Sequence, residues 1–231
     1  QKQVRPLYGV VFTPQGAFEG FIQWDDQERL TTDLLDGKGH QGTLSLPFGE
    51  IQEIRAQGDS AMVTTFSGKA YLLGGGEDVS SDIHDIIVKS LNLGHVRIPW
   101  SQFKFARFFE ESPDFGPTYD DFALPSTLCA SVERINGRPL SGTLVFDLDE
   151  SQDYETIEGQ KEGIFYHIPL RNIKRIERRN YSVCAIMLKN GDQLYLGEEH
   201  DLTDQNWGLL LWYGPDRVMY IPWNEVSSVN F

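Results

Sequence analysis

Ile98-Pro99-Trp100-Ser101-Gln102-Phe103-Lys104-Phe105-Ala106 and Ile221-Pro222-Trp223-Asn224-Glu225-Val226-Ser227-Ser228-Val229 follow one pattern. An apolar-Pro-apolar triplet is followed by apolar residues three and six positions on. The same pattern occurs at Leu46-Pro47-Phe48…Ile51…Ile54 and at Ile168-Pro169-Leu170…Ile173…Ile176. Alternation with a period of two belongs to a strand with one buried face. A step of three keeps that face inward through a tight 3₁₀-like turn. Proline has no N–H to give to a ladder, so it marks an edge or a bulge. Each element therefore reads as strand, sharp corner, strand.

Working outward, the four corners fall into two matching sets. Gly68-Lys69-Ala70-Tyr71 answers Gly191-Asp192-Gln193-Leu194, and Asp78-Val79 answers Asp201-Leu202. Gly16, Gly20 and Asp25 answer Gly137, Gly142 and Asp147. The offset drifts only from 121 to 123 along the comparison, so the sequence is expected to hold two tandem copies of one unit. The expected division is a β repeat over 1–109, a linker over 110–126 and a second β repeat over 127–231. The linker, Glu110-Glu111-Ser112-Pro113-Asp114-Phe115-Gly116-Pro117 and on to Pro125, is rich in residues that break helices and inner strands. Phe115, Tyr119 and Phe122 are expected to pin it to a domain.

Turn signals precede the corners. Pro14-Gln15-Gly16, Ser67-Gly68-Lys69, Asn136-Gly137 and Asn190-Gly191 each separate runs rich in Val, Phe, Leu and Tyr, as hairpins require. Ile83, Ile86, Ile87 and Leu91 have helical spacing, but the matching segment, Asn206 to Pro215, is broken by glycines and ended by proline. Both are read as strands. The expected fold is all-β, built from small, strongly bent antiparallel barrels or sheets with 3₁₀ corners. Gly137-Arg138-Pro139-Leu140-Ser141-Gly142-Thr143-Leu144-Val145-Phe146-Asp147 resembles the first motif of the Sm-like small barrels, and Gly16 to Asp25 is a looser version. The corners resemble those in SH3-like barrel repeats of uncharacterised bacterial proteins. The Arg-Gly pair of the second Sm-like motif has no counterpart here, so the resemblance implies a fold and not RNA binding.

Thirty-four acidic residues against 20 basic ones give a formal charge of −14, spread over both halves. Such a surface repels phosphate backbones and anionic headgroups, which counts against a nucleic-acid partner. No apolar run approaches the ~20 residues of a membrane-spanning helix. The sequence begins at Gln1, as a cleaved export signal or a chosen boundary would leave it, and a secreted or periplasmic bacterial protein is expected. Cys129 and Cys184 could form a disulfide or remain thiols.

No set of residues commits the chain to a reaction. An enzyme would need a pocket with convergent carboxylates or histidines, and the five histidines are scattered. The densest acidic stretch runs from Asp147 through Asp149 and Asp153 to Glu158, with oxygen-bearing residues at the spacing of a calcium loop. However, Gln152 stands where such a loop needs glycine, so a solvated hairpin is the simpler reading. The basic run Arg171, Lys174, Arg175, Arg178 and Arg179 could bind a polyanion, or it could guard an edge strand. Trp100 and Trp223 hold the repeated inward position. Trp24, Trp207 and Trp212 face Phe146, His84 and Lys89 in the comparison, so they are free of the shared tryptophan pattern. Burial is the simpler reading; if exposed, they would suit sugar stacking or a protein anchor. The expected function is a non-catalytic binding or structural module with a protein partner. The alternatives are a carbohydrate-binding module and an Sm-like binder of a polyanion or RNA.

Overall fold

The computed structural model describes residues 4–111 and 123–231. The linker core, with Phe115, Tyr119 and Phe122, lies outside the described residues. The chain divides into two compact units, made in the main of ten strands each.

In the first unit the strands are β1 (Tyr8–Thr13), β2 (Gly16–Trp24), β3 (Leu34–Gly39), β4 (Gly42–Pro47), β5 (Ile51–Gln57), β6 (Ser60–Thr65), β7 (Ala70–Gly74), β8 (Ile86–Ser90), β9 (Gly94–Ile98) and β10 (Phe105–Phe108). All the pairings described are antiparallel, and they run β8–β2–β1–β10–β5–β6–β7–β3–β4. The second unit has β11 (Cys129–Arg134), β12 (Leu140–Val145), β13 (Thr156–Lys161), β14 (Ile164–Pro169), β15 (Ile173–Arg178), β16 (Val183–Leu188), β17 (Gln193–Gly197), β18 (Leu209–Gly214), β19 (Arg217–Ile221) and β20 (Val226–Asn230). Its pairings run β19–β18–β12–β11–β20–β15–β16–β17–β13. The correspondence extends to register: Tyr8 faces Phe21 as Cys129 faces Thr143, and Phe21 faces Lys89 as Thr143 faces Trp212.

All four corners fold alike. Pro47, Pro99, Pro169 and Pro222, with φ between −57° and −70°, each open a three-residue 3₁₀ turn. The turn closes when the N–H of Ile51, Phe103, Ile173 or Val226 donates to the carbonyl of Phe48, Trp100, Leu170 or Trp223. The proline ring fixes the entry angle, and its missing N–H falls where a strand is leaving its ladder. Beyond the turn, the register shifts between Ile51 and Glu53 and again between Ile173 and Arg175. Those bulges put the next apolar residue back on the inner face. Ile54, Ala106, Ile176 and Val229 are all fully buried there.

The four hairpins stand where their turn signals predict them, joining β1–β2, β6–β7, β11–β12 and β16–β17. The segment with helical spacing is not a helix. Ile86–Ser90 and Leu209–Gly214 pair as strands with β2 and β12, while Ile83 is buried in the turn before β8. Gly20 and Gly142 occupy matching tight crossings, where a Cβ would overlap the carbonyl of Lys89 or Trp212. No helix among the described residues is long and apolar enough to cross a membrane.

The corners carry the core, so truncating them should cost more than truncating the outer face. Ile54→Ala and Ile176→Ala are each expected to lower stability by about 2–5 kcal/mol, the range for large-to-small changes at sites that cannot collapse. Denaturant unfolding of the two variants checks this, with Leu72→Ala on the exposed face of β7 as the control.

Candidate binding surface and buried carboxylates

The loop after β2 is a tight turn in which Trp24 and Glu28 exchange backbone hydrogen bonds; Phe146 and Glu150 do the same after β12. Both turns need a residue with positive φ, supplied by Asp25 (52°) and Asp147 (48°). Aspartate tolerates that region better than most side chains. The turn aims both aspartates inward, where they meet the segment preceding β8 or β18. Asp25 Oδ1 accepts the N–H of His84 and lies 3.0 Å from its Nδ1. Asp147 Oδ1 accepts the N–H of Trp207, and its Oδ2 lies 2.7 Å from His200 Nδ1.

A second aspartate completes each cluster. Asp78 Oδ2 accepts the N–H of Asp36 at 2.6 Å, and Asp201 Oδ2 accepts that of Glu158 at 2.6 Å. A third carboxylate caps the loop: Asp33 takes the N–H groups of Arg29 and Leu30, as Glu155 takes those of Ser151 and Gln152. These acids are staples that tie the β2–β3 and β12–β13 connections to the turns before β8 and β18.

Glu28 joins Asp25 and Asp78, Glu150 lies within the influence of Asp147 and Asp201, and each glutamate has a buried Oε2. Burial, with neighbouring carboxylates adding to it, pushes Glu150 up to about 9 and Glu28 up to about 7. Burial likewise raises Asp201 to about 7. It also raises Asp147, outweighing the Trp207 N–H and His200. At Asp25 burial is the largest single influence and acts upward, yet the contacts with His84 together hold that carboxyl below its ordinary value.

Asp147, His200 and Asp201 place ligand-capable atoms within 4.8 Å of one another, as do Asp25, Glu28 and Asp78. A small hard cation would need such donors. The loop proposed from spacing is not this set. Of Asp147, Asp149, Asp153 and Glu158, only Asp147 belongs to the cluster. Asp153 accepts from Ser126 N–H and pairs with Arg171, and Glu158 lies 3.3 Å from His167. A shallow recess of about 450 Å³ contains Asp149, Glu150, Glu155 and Glu158. Two of its acids are occupied, Glu155 in capping and Glu158 with His167.

The basic run is neutralised by three acids from other strands and loops and by Glu177 of its own strand. Arg171 pairs with Asp153, Arg175 with Glu133 and Glu177, Arg178 with Asp204 and Arg179 with Glu177. Arg178 also lies over the ring of Trp223. Lys174 is exposed. No continuous cationic groove forms from these residues.

The three unmatched tryptophans part company. Trp24 is fully buried, with Nε1 donating to the Asp78 carbonyl at 2.8 Å and Phe48, Phe103 and Phe108 around it. It is a core residue, so stacking on a ligand is closed to it. Its counterpart, Phe146, is buried too: one aromatic core position is filled by Trp in one unit and Phe in the other. Trp207 and Trp212, 59% and 40% exposed, stand on the second unit's outer face with exposed Val218 and Tyr220. Trp212 faces Val218 across β18–β19, and Tyr220 donates from its hydroxyl to the Trp207 carbonyl. Cys129 is exposed and Cys184 buried; both are free thiols. No family model, curated protein or solved structure matches this chain.

The raised carboxyl of Glu150 sets a direction for stability with pH. A proton held more tightly in the folded chain than in the unfolded one, where the value is near 4.5, favours folding. That contribution is complete below pH 4.5 and is lost as pH rises through about 9. Glu150→Gln keeps the shape without the titrating proton. Its midpoint of thermal unfolding should fall less than that of the wild type between pH 6 and about 9.5, a comparison calorimetry reads directly.

Proposed function

We propose that the protein is a non-catalytic binding module and that its second unit meets a protein partner through the outer face of β18–β19. One observation carries this reading. Where the second unit exposes Trp207, Trp212, Val218 and Tyr220, the first places His84, Lys89, His95 and Arg97 at the matching positions. The hairpin therefore folds without an aromatic exterior. Large apolar side chains left in water are not repaid by the core, and Trp and Tyr are the residues most enriched at binding hot spots.

The carboxylates support the non-catalytic half. Asp25, Asp78, Asp147 and Asp201 accept backbone N–H groups at equivalent positions in the two units, so a structural duty accounts for the burial of these four. A polyanion reading is disfavoured by the ion-paired arginines.

The test compares capture of binding proteins from a native extract by immobilised full-length chain and by two double variants. Trp207→Ser with Tyr220→Ser should weaken capture by roughly 30-fold or more, the loss of a hot spot worth about 2 kcal/mol. Lys89→Ser with Arg97→Ser, on the first unit, should leave it unchanged. Equal capture by the wild type and the Trp207/Tyr220 variant would defeat the proposal.

A further inference from the structure

Beside the aromatic hairpin, the second unit carries a shallow groove of about 750 Å³ over β11, β12, β18 and the end of β20. Its walls include Cys129, Ser131, Ser141, Thr143, Trp212 and Asn230. Two transverse rows build it, because neighbouring strands put paired residues on the same face. Cys129, Thr143 and Trp212 stand opposite one another across three strands; Ser141, Ser131 and Asn230 form the next row.

The first unit closes the same place. There Tyr8 and Phe21 take the positions of Cys129 and Thr143, packing edge to face at 5.2 Å. The Tyr8 hydroxyl donates to Glu19, the counterpart of Ser141. Lys89 stands where the second unit has Trp212. One backbone plan thus holds a filled aromatic cluster in one unit and an open, hydroxyl-lined groove in the other.

The lining selects a chemistry. No residue lining the groove carries an ionised side chain, so a phosphate or carboxylate ligand would lie there without a counter-charge. A purely apolar ligand would cover the hydroxyls of Ser131, Ser141 and Thr143 without replacing their hydrogen bonds to water. The Asn230 amide is held at one edge: its Oδ1 accepts from Arg175 at 3.2 Å, while Nδ2 makes only long contacts of 3.4 Å to the Ser131 carbonyl and the Ser228 hydroxyl. A half-exposed indole beside hydroxyl and amide groups matches a ligand with one apolar ring face and a hydroxylated rim. We infer that this groove binds a neutral saccharide, with a pyranose ring stacked on Trp212 and its hydroxyls met by Ser131, Ser141, Thr143 and Asn230. The site goes beyond the protein-binding role and shares only Trp212 with it.

Two readouts follow occupancy. Full-length protein is titrated with glucose, galactose, mannose and N-acetylglucosamine and their short β-linked oligomers, observed by two-dimensional NMR. In parallel, the rate of Cys129 alkylation is measured, since this thiol lies in the groove and Cys184 is buried. At least one sugar should shift the Thr143, Ser131 and Asn230 amides and the Trp212 indole saturably, and should slow Cys129 alkylation. Cys129→Tyr with Thr143→Phe imports the residues of the first unit and fills the groove. Trp212→Lys removes the platform, again with a residue the same position accepts in the first unit. Each should weaken sugar binding by about tenfold or more, whereas Trp207→Ser with Tyr220→Ser should leave it intact. No shift at the groove with any sugar of the panel, or binding undiminished in both Trp212→Lys and the filled variant, would overturn the assignment. Because the Trp207/Tyr220 variant tests protein capture separately, either role can fail while the other stands.

Discussion

A strand that turns a corner must release its neighbour's hydrogen bonds without letting water reach the core, and this chain meets that demand four times with one device. The proline withdraws from the ladder, a single 3₁₀ turn spans the gap, and a bulge or short reset returns the next apolar residue to the inside. Everything else hangs from these corners. They set the register of β5 and β15 against β6 and β16, and they put Trp100 and Trp223 beneath the sheet, where Trp100 Nε1 donates to the Gly58 carbonyl. Between corners, the chain needs only hairpins.

The corners were legible in the sequence because their apolar spacing is local, and so were the hairpins, whose glycines and asparagines signal turns within two or three residues. The buried carboxylate clusters were not. Each draws on the loop after β2 or β12 and on a turn some 50 residues later, so no short window holds it. The trace was there all the same: Asp25 matches Asp147 and Asp78 matches Asp201, although neither is apolar. Polar identity at matched positions is what a hydrogen-bonded staple leaves behind. Trp24 misled for the opposite reason, since a Trp–Phe exchange inside an aromatic core looks like freedom from the core. The basic run looked unbalanced because three of its four acids, Glu133, Asp153 and Asp204, lie elsewhere in the chain and only Glu177 lies within it.

The units differ most on their outer faces, where the backbone leaves side chains unconstrained. The first covers its face with charge and packed rings: Arg55 and Arg107 bracket Phe105 and both bond to Glu53. The second leaves indole, hydroxyl and thiol groups open to solvent on β11, β12 and β18. The strand order and register are shared, whereas the outer side chains are not.

The placement of the five indoles has an optical consequence. Trp24 and Trp100 are both buried in the first unit, while the second holds one buried indole, Trp223, and two that face water. Emission from the folded chain therefore combines a blue component weighted towards the first half with a red one that comes from the second alone. Quenchers dissolved in the medium will extinguish the red light first, so a single fluorescence spectrum distinguishes the two halves without any label.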